Sequence, residues 1–364
     1  MTIAVRADTG WNPDWATHPG EHLAEYIEAR GLTQADFARL TNMSPKLVST
    51  ILNGKNPVTA ETAIRFERVL GVKAYIWTSL QAKWDLHLAR QNEKTRFDTQ
   101  GWLARFPIKE LQLRGKLPVT TDQGILIDAL LSILGIGTPA AYEKKVCSLA
   151  VHHRQSRAHE SSRDHVFTWL LLGEAKARTM NLPAFDLKIF LRGIKEIRKL
   201  TIAPPATFER RMKALCRMAG VALIFEKPLS KTCLFGSARW FDADRAIIQM
   251  SLRMKTNDHF WWTFFHEAGH IALHRGRNFL DDKGGEGGHV ENEADEWANE
   301  RLFGPGGVAH LVAKRPRSEV EVRATAERLG LHPGIVVGAL QHHGLLPYKH
   351  LNWLKERFDW AEVD

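Results

Sequence analysis

The sequence predicts a mainly α-helical fold with a small β-sheet, an α+β architecture. Three observations lead there. Short, sharply punctuated amphipathic segments fill residues 19–92, helical periodicity returns over most of residues 122–200, and three short runs beyond residue 220 read as strands ahead of a long apolar helix. At 364 residues the chain has room for two or three domains and a sizeable core.

Taken in order, Met1 to Gly20 has no long apolar run after a basic start, so no signal peptide is read there. Gly20 to Arg30 carries Leu23, Tyr26 and Ile27 and stops at Gly31. Thr33 with Asp36 three residues later resembles a capping box, opening a helix through Ala35, Phe37, Ala38 and Leu40. After Thr41-Asn42-Met43, Ser44 serves as N-cap and Pro45 as first residue of a helix that runs to about Leu52 and ends at Asn53-Gly54. A further helix, from Thr59 or Glu61 to Leu70, ends at Gly71. Two short helices joined by a tight turn have the spacing of a helix-turn-helix. Lys46, Ser49, Thr50 and Asn53, with Ser44 at the start, are then the side chains expected to meet base edges or phosphates, and Gln34 is expected to touch the DNA backbone. An ordinary helical bundle with polar surface positions fits the pattern equally well.

Gln91 to Thr121 reads as a connector with a strand or turn near Leu117-Pro118-Val119. Asp122 to Leu200 is mostly helical, broken at Gly135-Gly137-Pro139 and at Asn181-Leu182-Pro183, and Ala203-Pro204-Pro205 reads as a hinge. Phe208 to Gly220 is amphipathic. Val221 to Phe225, Ser237 to Trp240 and Ala246 to Leu252 read as strands, the last two joined through Asp242-Ala243-Asp244. Ala246 to Leu252 is a candidate cleft edge for pairing an extended peptide, with an interior strand as the alternative. Ser318 to Asp364 is helical; within it Ala326 to Pro333 mimics a second helix-turn-helix but is read as a helical hairpin. The resulting division is an extension over 1–18, a helix-turn-helix domain over 19–92, a helical connector over 93–205 and a final domain over 206–364.

Charge and cysteine narrow the classes. The net charge is +9, yet residues 20–90 hold nine Lys/Arg against seven Asp/Glu, while residues 143–200 hold twelve against six. That middle segment, which also carries His152, His153, His159 and His165, is read as solvated helix faces in preference to a phosphate-binding surface. Cys147, Cys216 and Cys233 make neither a disulfide framework nor a zinc knuckle, and a reducing cytoplasm fits them. The apolar segment Ile125 to Ile136 is short and interrupted by Asp128, which argues against a membrane span.

The chemistry-bearing stretch is His266-Glu267-Ala268-Gly269-His270. Residues four apart share a helix face, so both imidazoles can point at one metal ion, and Glu267 can act as general base toward water activated there. Glu291 can supply the third protein ligand, leaving a fourth position open. Asp295, four residues further on, can hold the distal nitrogen of a ligating histidine. Glu293 is the rival to Glu291. Zn²⁺ suits this donor set, as do Mn²⁺ and Fe²⁺. His289, His310, His342, His343 and Tyr348 are candidates for stabilising a developing oxyanion. The glycine-rich loop Asp281 to His289 is read as a lid or a plain connector.

These residues resemble two families in tandem. The segments HPGEHLAEYIEARGLTQADFARL, SPKLVSTILNGKNPVTAETAIRFERVLG and WTSLQAKWDLHLAR are similar to the Xre-type helix-turn-helix of HigA-like antitoxins. The segments SLRMKTNDHFWWTFFHEAGHIALH, ENEADEWANERLFGP and HPGIVVGALQHHGLL resemble the ImmA/IrrE metallo-endopeptidases, over about Phe208 to Pro347. The resemblance implies an amino-terminal helix-turn-helix bundle and a zincin-like metallopeptidase domain, with His266, His270 and Glu291 on zinc and Glu267 as base. It further implies a regulator that binds a double-stranded DNA operator and cuts a repressor or partner protein under stress. Leu302-Phe303-Gly304-Pro305 departs from the longer aliphatic ending of that family. A non-proteolytic DNA-binding sensor and an antitoxin with a toxin partner are the competing expectations. A homodimer is also expected, because helix-turn-helix proteins often match two-fold operators.

Overall fold

The computed structural model describes residues 15–96, 99–148, 162–240, 242–275 and 287–360. His152, His153, His159 and most of the Asp281–His289 loop lie outside them. The chain divides into two compact units, Met1–Thr99 and Gln100–Asp364.

The first unit is helical: α1 (Pro19–Ala29), α2 (Gln34–Thr41), α3 (Pro45–Leu52), α4 (Ala60–Leu70) and α5 (Ala74–Arg96). Each of the first four begins where a side chain accepts the hydrogen bond of an otherwise unpaired backbone N–H: His18, Thr33, Ser44 and Thr59. The Thr33 hydroxyl also donates to Asp36 Oδ2 (2.6 Å), so the second half of the expected capping box is a side-chain contact. Asn42 and Gly71 end α2 and α4 in the left-handed conformation. The core is Leu23, Phe37, Val48, Ile51, Phe66, Leu70 and Trp77, with Phe66 meeting Phe37 and Trp77 at 5.3 and 5.4 Å between ring centroids. Helix α5 continues through Gln91, so the expected connector begins later than the sequence suggested.

The second unit starts with α6 (Thr99–Leu103), α7 (Ile108–Leu113), α8 (Gln123–Leu134), α9 (Pro139–Ser148) and α10 (Arg163–Arg178). Leu117-Pro118-Val119 forms no strand; Gln112 Nε2 donates to Pro118 O and Thr120 O (both 2.9 Å), holding it as a turn. The stretch Gln123–Lys145 has the length and apolarity of a membrane span. It is two helices parted at Gly135, however, and Leu126, Ile127, Leu130 and Leu134 face a core shared with α10.

Next come α11 (Leu187–Lys199), α12 (Pro205–Met218), β1 (Val221–Phe225), β2 (Gly236–Trp240), β3 (Ala246–Met250), α13 (Asn257–Leu273), α14 (Gly287–Phe303), α15 (Ala309–Lys314), α16 (Glu319–Leu329) and α17 (Pro333–His342). The sheet order is β1-β3-β2, with β3 parallel to β1 and antiparallel to β2. Strand β3 is therefore central, which decides against the cleft edge and for the interior alternative: its Ala-Ile-Ile run is apolar because both faces are covered. One face packs on α11, α12 and α13. On the other, Gln249 and Arg239 reach backbone carbonyls of α10, Trp169 O at 2.8 Å and Leu170 O at 2.5 Å. The boundary expected near residue 205 falls inside this unit, since Phe190, Ile194 and Ile197 of α11 share one core with Phe264, Phe265 and Val337. Pro204-Pro205 opens α12 and is not a hinge between domains.

Candidate functional site

Helix α13 is apolar nearly all round and buried from Phe260 to Ile271, apart from Trp262, as expected of a helix enclosed by protein. Trp261, Phe264 and Phe265 are fully buried. Packing on this scale fixes the helix that carries His266, Glu267 and His270, all 3 % exposed or less. Gly269 lets α14 come close, because a Cβ there would stand 3.2 Å from Ala294 O.

That approach brings together three atoms that could ligate a metal. His266 Nε2 and His270 Nε2 are 3.1 Å apart, His266 Nε2 is 3.2 Å from Glu291 Oε2, and His270 Nε2 is 3.5 Å from Glu291 Oε1. A tetrahedral ion with bonds of about 2.0–2.1 Å separates its ligands by about 3.3 Å. The donor set and its spacing therefore fit zinc. Asp295 Oδ1 accepts from His266 Nδ1 at 2.7 Å, where the sequence reading put it. Burial opposes charge on His266, but the carboxylates of Asp295 and Glu291 outweigh it and raise its pKa to about 9.

Glu293 does not join the three ligands. It sits 3.1 Å from His274 Nε2, and His274 Nδ1 is 3.1 Å from His270 Nδ1. Hydrogen bonding to His274 holds the Glu293 carboxyl below the usual carboxylate range. His274 is a residue the sequence reading missed. Its spacing of four from His270 was the available signal.

Glu267 lies beside β2, one of the two edge strands among the described strands. A Cβ on Gly236 would stand 2.8 Å from Glu267 Oε1 and 2.7 Å from Thr263 Cγ2. A cavity of about 300 Å³ adjoins this point, with Phe235, Thr263, Trp262, His342, His343 and Tyr348 in its wall. Of the oxyanion candidates, His342, His343 and Tyr348 line this cavity. His289 contacts Glu293 (3.5 Å) and His310 is not a wall residue.

In the first unit, Gln34, Ser44, Lys46 and Asn53 are exposed, whereas Ser49 and Thr50 are half-buried. Several have local duties. Ser44 caps α3 through Leu47 N, Thr50 Oγ1 donates to Leu47 O (2.9 Å), and Asn53 Nδ2 donates to Ser49 O (2.8 Å). Lys46, exposed on the first turn of α3, is the clearest cation on that helix.

A helix-turn-helix family model, HTH_3, matches residues 23–77. Virulence-associated protein I of Dichelobacter nodosus is 34 % identical over 87 residues, covering 24 % of this chain and 81 % of that one. The HTH-type transcriptional regulator YddM of Escherichia coli strain K12 is 32 % identical over 68 residues, covering 19 % and 72 %. Among solved structures, antitoxin HigA of Pseudomonas aeruginosa with the higBA promoter is 27 % identical over 23 % of this chain and 92 % of that one, at a TM-score of 0.22. A HigA-family addiction module antidote protein of Coxiella burnetii is 30 % identical over 22 % and 88 %, at 0.21.

Proposed function

The chain belongs, through its amino-terminal unit, to the helix-turn-helix family, and from that premise we propose a DNA-binding transcriptional regulator whose second unit is a zinc-dependent endopeptidase of the ImmA/IrrE type. The observation that carries the hydrolytic half is the meeting of His266, His270 and Glu291 at tetrahedral spacing beside the buried Glu267. Zinc held there would supply a Lewis acid that polarises a carbonyl and acidifies water. Glu267 takes the proton of the attacking water and returns it to the leaving amine. Asp295 keeps the His266 ring oriented with Nε2 toward His270 and Glu291, where an ion would be held.

Peptide binding follows from the flank of the site. The outer edge of β2 offers backbone N–H and C=O groups to an extended chain, and the cavity next to Thr263 takes one of its side chains. The substrate class we assign is a regulatory protein, a repressor or partner, cut in the cytoplasm in response to stress. DNA contact falls to α3, led by Lys46, with Gln34 at the start of α2.

The test compares protein N-termini in host cells carrying the wild-type chain or Glu267→Gln, with and without stress. A new N-terminus seen with wild type alone is expected and identifies the substrate. No difference under any stress contradicts the peptidase and leaves a DNA-binding sensor or a HigA-like antitoxin with a toxin partner.

A further inference from the structure

The Nε2 atoms of His266 and His270 face each other and Glu291, so a metal ion there requires a lone pair from each. A neutral His270 then carries its proton on Nδ1, which lies 3.1 Å from His274 Nδ1. Two ring nitrogens at that distance share one proton, so His270 donates and His274 accepts. His274 must keep its own proton on Nε2, and that nitrogen is 3.1 Å from Glu293 Oε2. A carboxylate only accepts. The direction of the whole chain is therefore set at Glu293 and runs one way to His270.

We propose that Glu293 and His274 form a positioning relay that locks His270 in its metal-ligating tautomer and so sets metal affinity, a role that rests on the His266–His270–Glu291 metal reading. The two ligating histidines are anchored unequally. His266 has a carboxylate directly behind it, Asp295 at 2.7 Å, whereas His270 reaches its carboxylate through a second imidazole. His274 is 3 % exposed, and its backbone N donates to His270 O at 3.0 Å, so main chain and ring are held together. Glu293 is about half exposed, its side chain 43 % accessible, and can be replaced without opening the core.

The experiment measures Zn²⁺ affinity of the full chain by chelator competition, together with the ¹⁵N shifts of the histidine rings in the zinc-loaded protein. Glu293→Ala and His274→Phe are each expected to weaken zinc about 10–100-fold, the range for lost outer-shell partners. Glu293→Gln keeps an acceptor and should recover part of that loss. Combining Glu293→Ala with His274→Phe should cost no more than the worse single change, since both break one chain, whereas adding Asp295→Asn should multiply the loss. The His274 ring should report a proton on Nε2. Unchanged affinity in Glu293→Ala, equal values for the Ala and Gln variants, or a proton on His274 Nδ1 would overturn the relay. A wild-type chain that binds no zinc would instead overturn the metal reading itself, and the relay with it.

Discussion

At the scale of residues, the missing side chain of Gly236 is what leaves room for Glu267 against β2. Gly236 has ordinary strand geometry, so alanine is no backbone problem there. Its methyl would stand 2.8 Å from Glu267 Oε1 and 2.7 Å from Thr263 Cγ2. Gly236→Ala should therefore leave zinc binding intact and lower cleavage about 100-fold, because a displaced catalytic group is enough to lose that much. Unaltered cleavage would remove Gly236 from the site. His266 carries a second prediction. With its pKa raised to about 9, the metal-free ring is protonated at pH 7, and zinc must displace that proton. Apparent zinc affinity should fall about tenfold per pH unit as pH drops below about 9, from this proton alone. Calorimetry in buffers of different ionisation enthalpy should find about one proton released from His266 at pH 7; none released would contradict the assignment. His266, His270, Glu291 and Asp295 were all readable from spacing, since four-residue intervals on helices predict shared faces. The Glu293–His274 contact was not, because the four-residue spacing of His274 from His270 puts it on their shared face but does not say which carboxylate of another helix it meets.

At the scale of elements, α3 is where the helix-turn-helix reading is most exposed to test. Its start is fixed by Ser44 and Pro45, which leaves Lys46 on the first turn beyond the cap. If α3 faces DNA, Lys46→Ala should weaken binding to operator and to unrelated duplex alike and lower the salt slope by about one. An unchanged slope would point to another face. Punctuation made α1 to α4 legible almost to the residue, through Thr33, Ser44, Thr59 and Gly71. The errors have physical causes too. Residues 91–96 are polar, with no apolar stripe to mark them, yet they continue α5, and Gln91 bonds His87 one turn back at 2.8 Å. The place of β3 before α13 left an edge strand and an interior strand equally open. Its Ala246-Ile247-Ile248 run, against the polar Ser237 and Arg239 on β2, was the signal for a central strand.

At the scale of the whole molecule, each unit carries its own core, and the family match at residues 23–77 lies within the first. What sequence could not give is how the second unit closes on itself. Arg198 of α11 donates to Leu302 O at 2.8 Å and Leu329 O at 2.6 Å, joining the C-terminal ends of α14 and α16 across more than a hundred residues. Such contacts erase the boundary expected near residue 205 and have no local signature. They also hold α14 where Glu291 meets the two histidines of α13. Metal content of the purified chain tests whether this meeting point is a metal centre. One zinc per chain is expected in wild type and in Glu267→Gln, and loss of it in His270→Ala and Glu291→Ala. A wild-type chain without bound metal, even after loading with zinc, would contradict it.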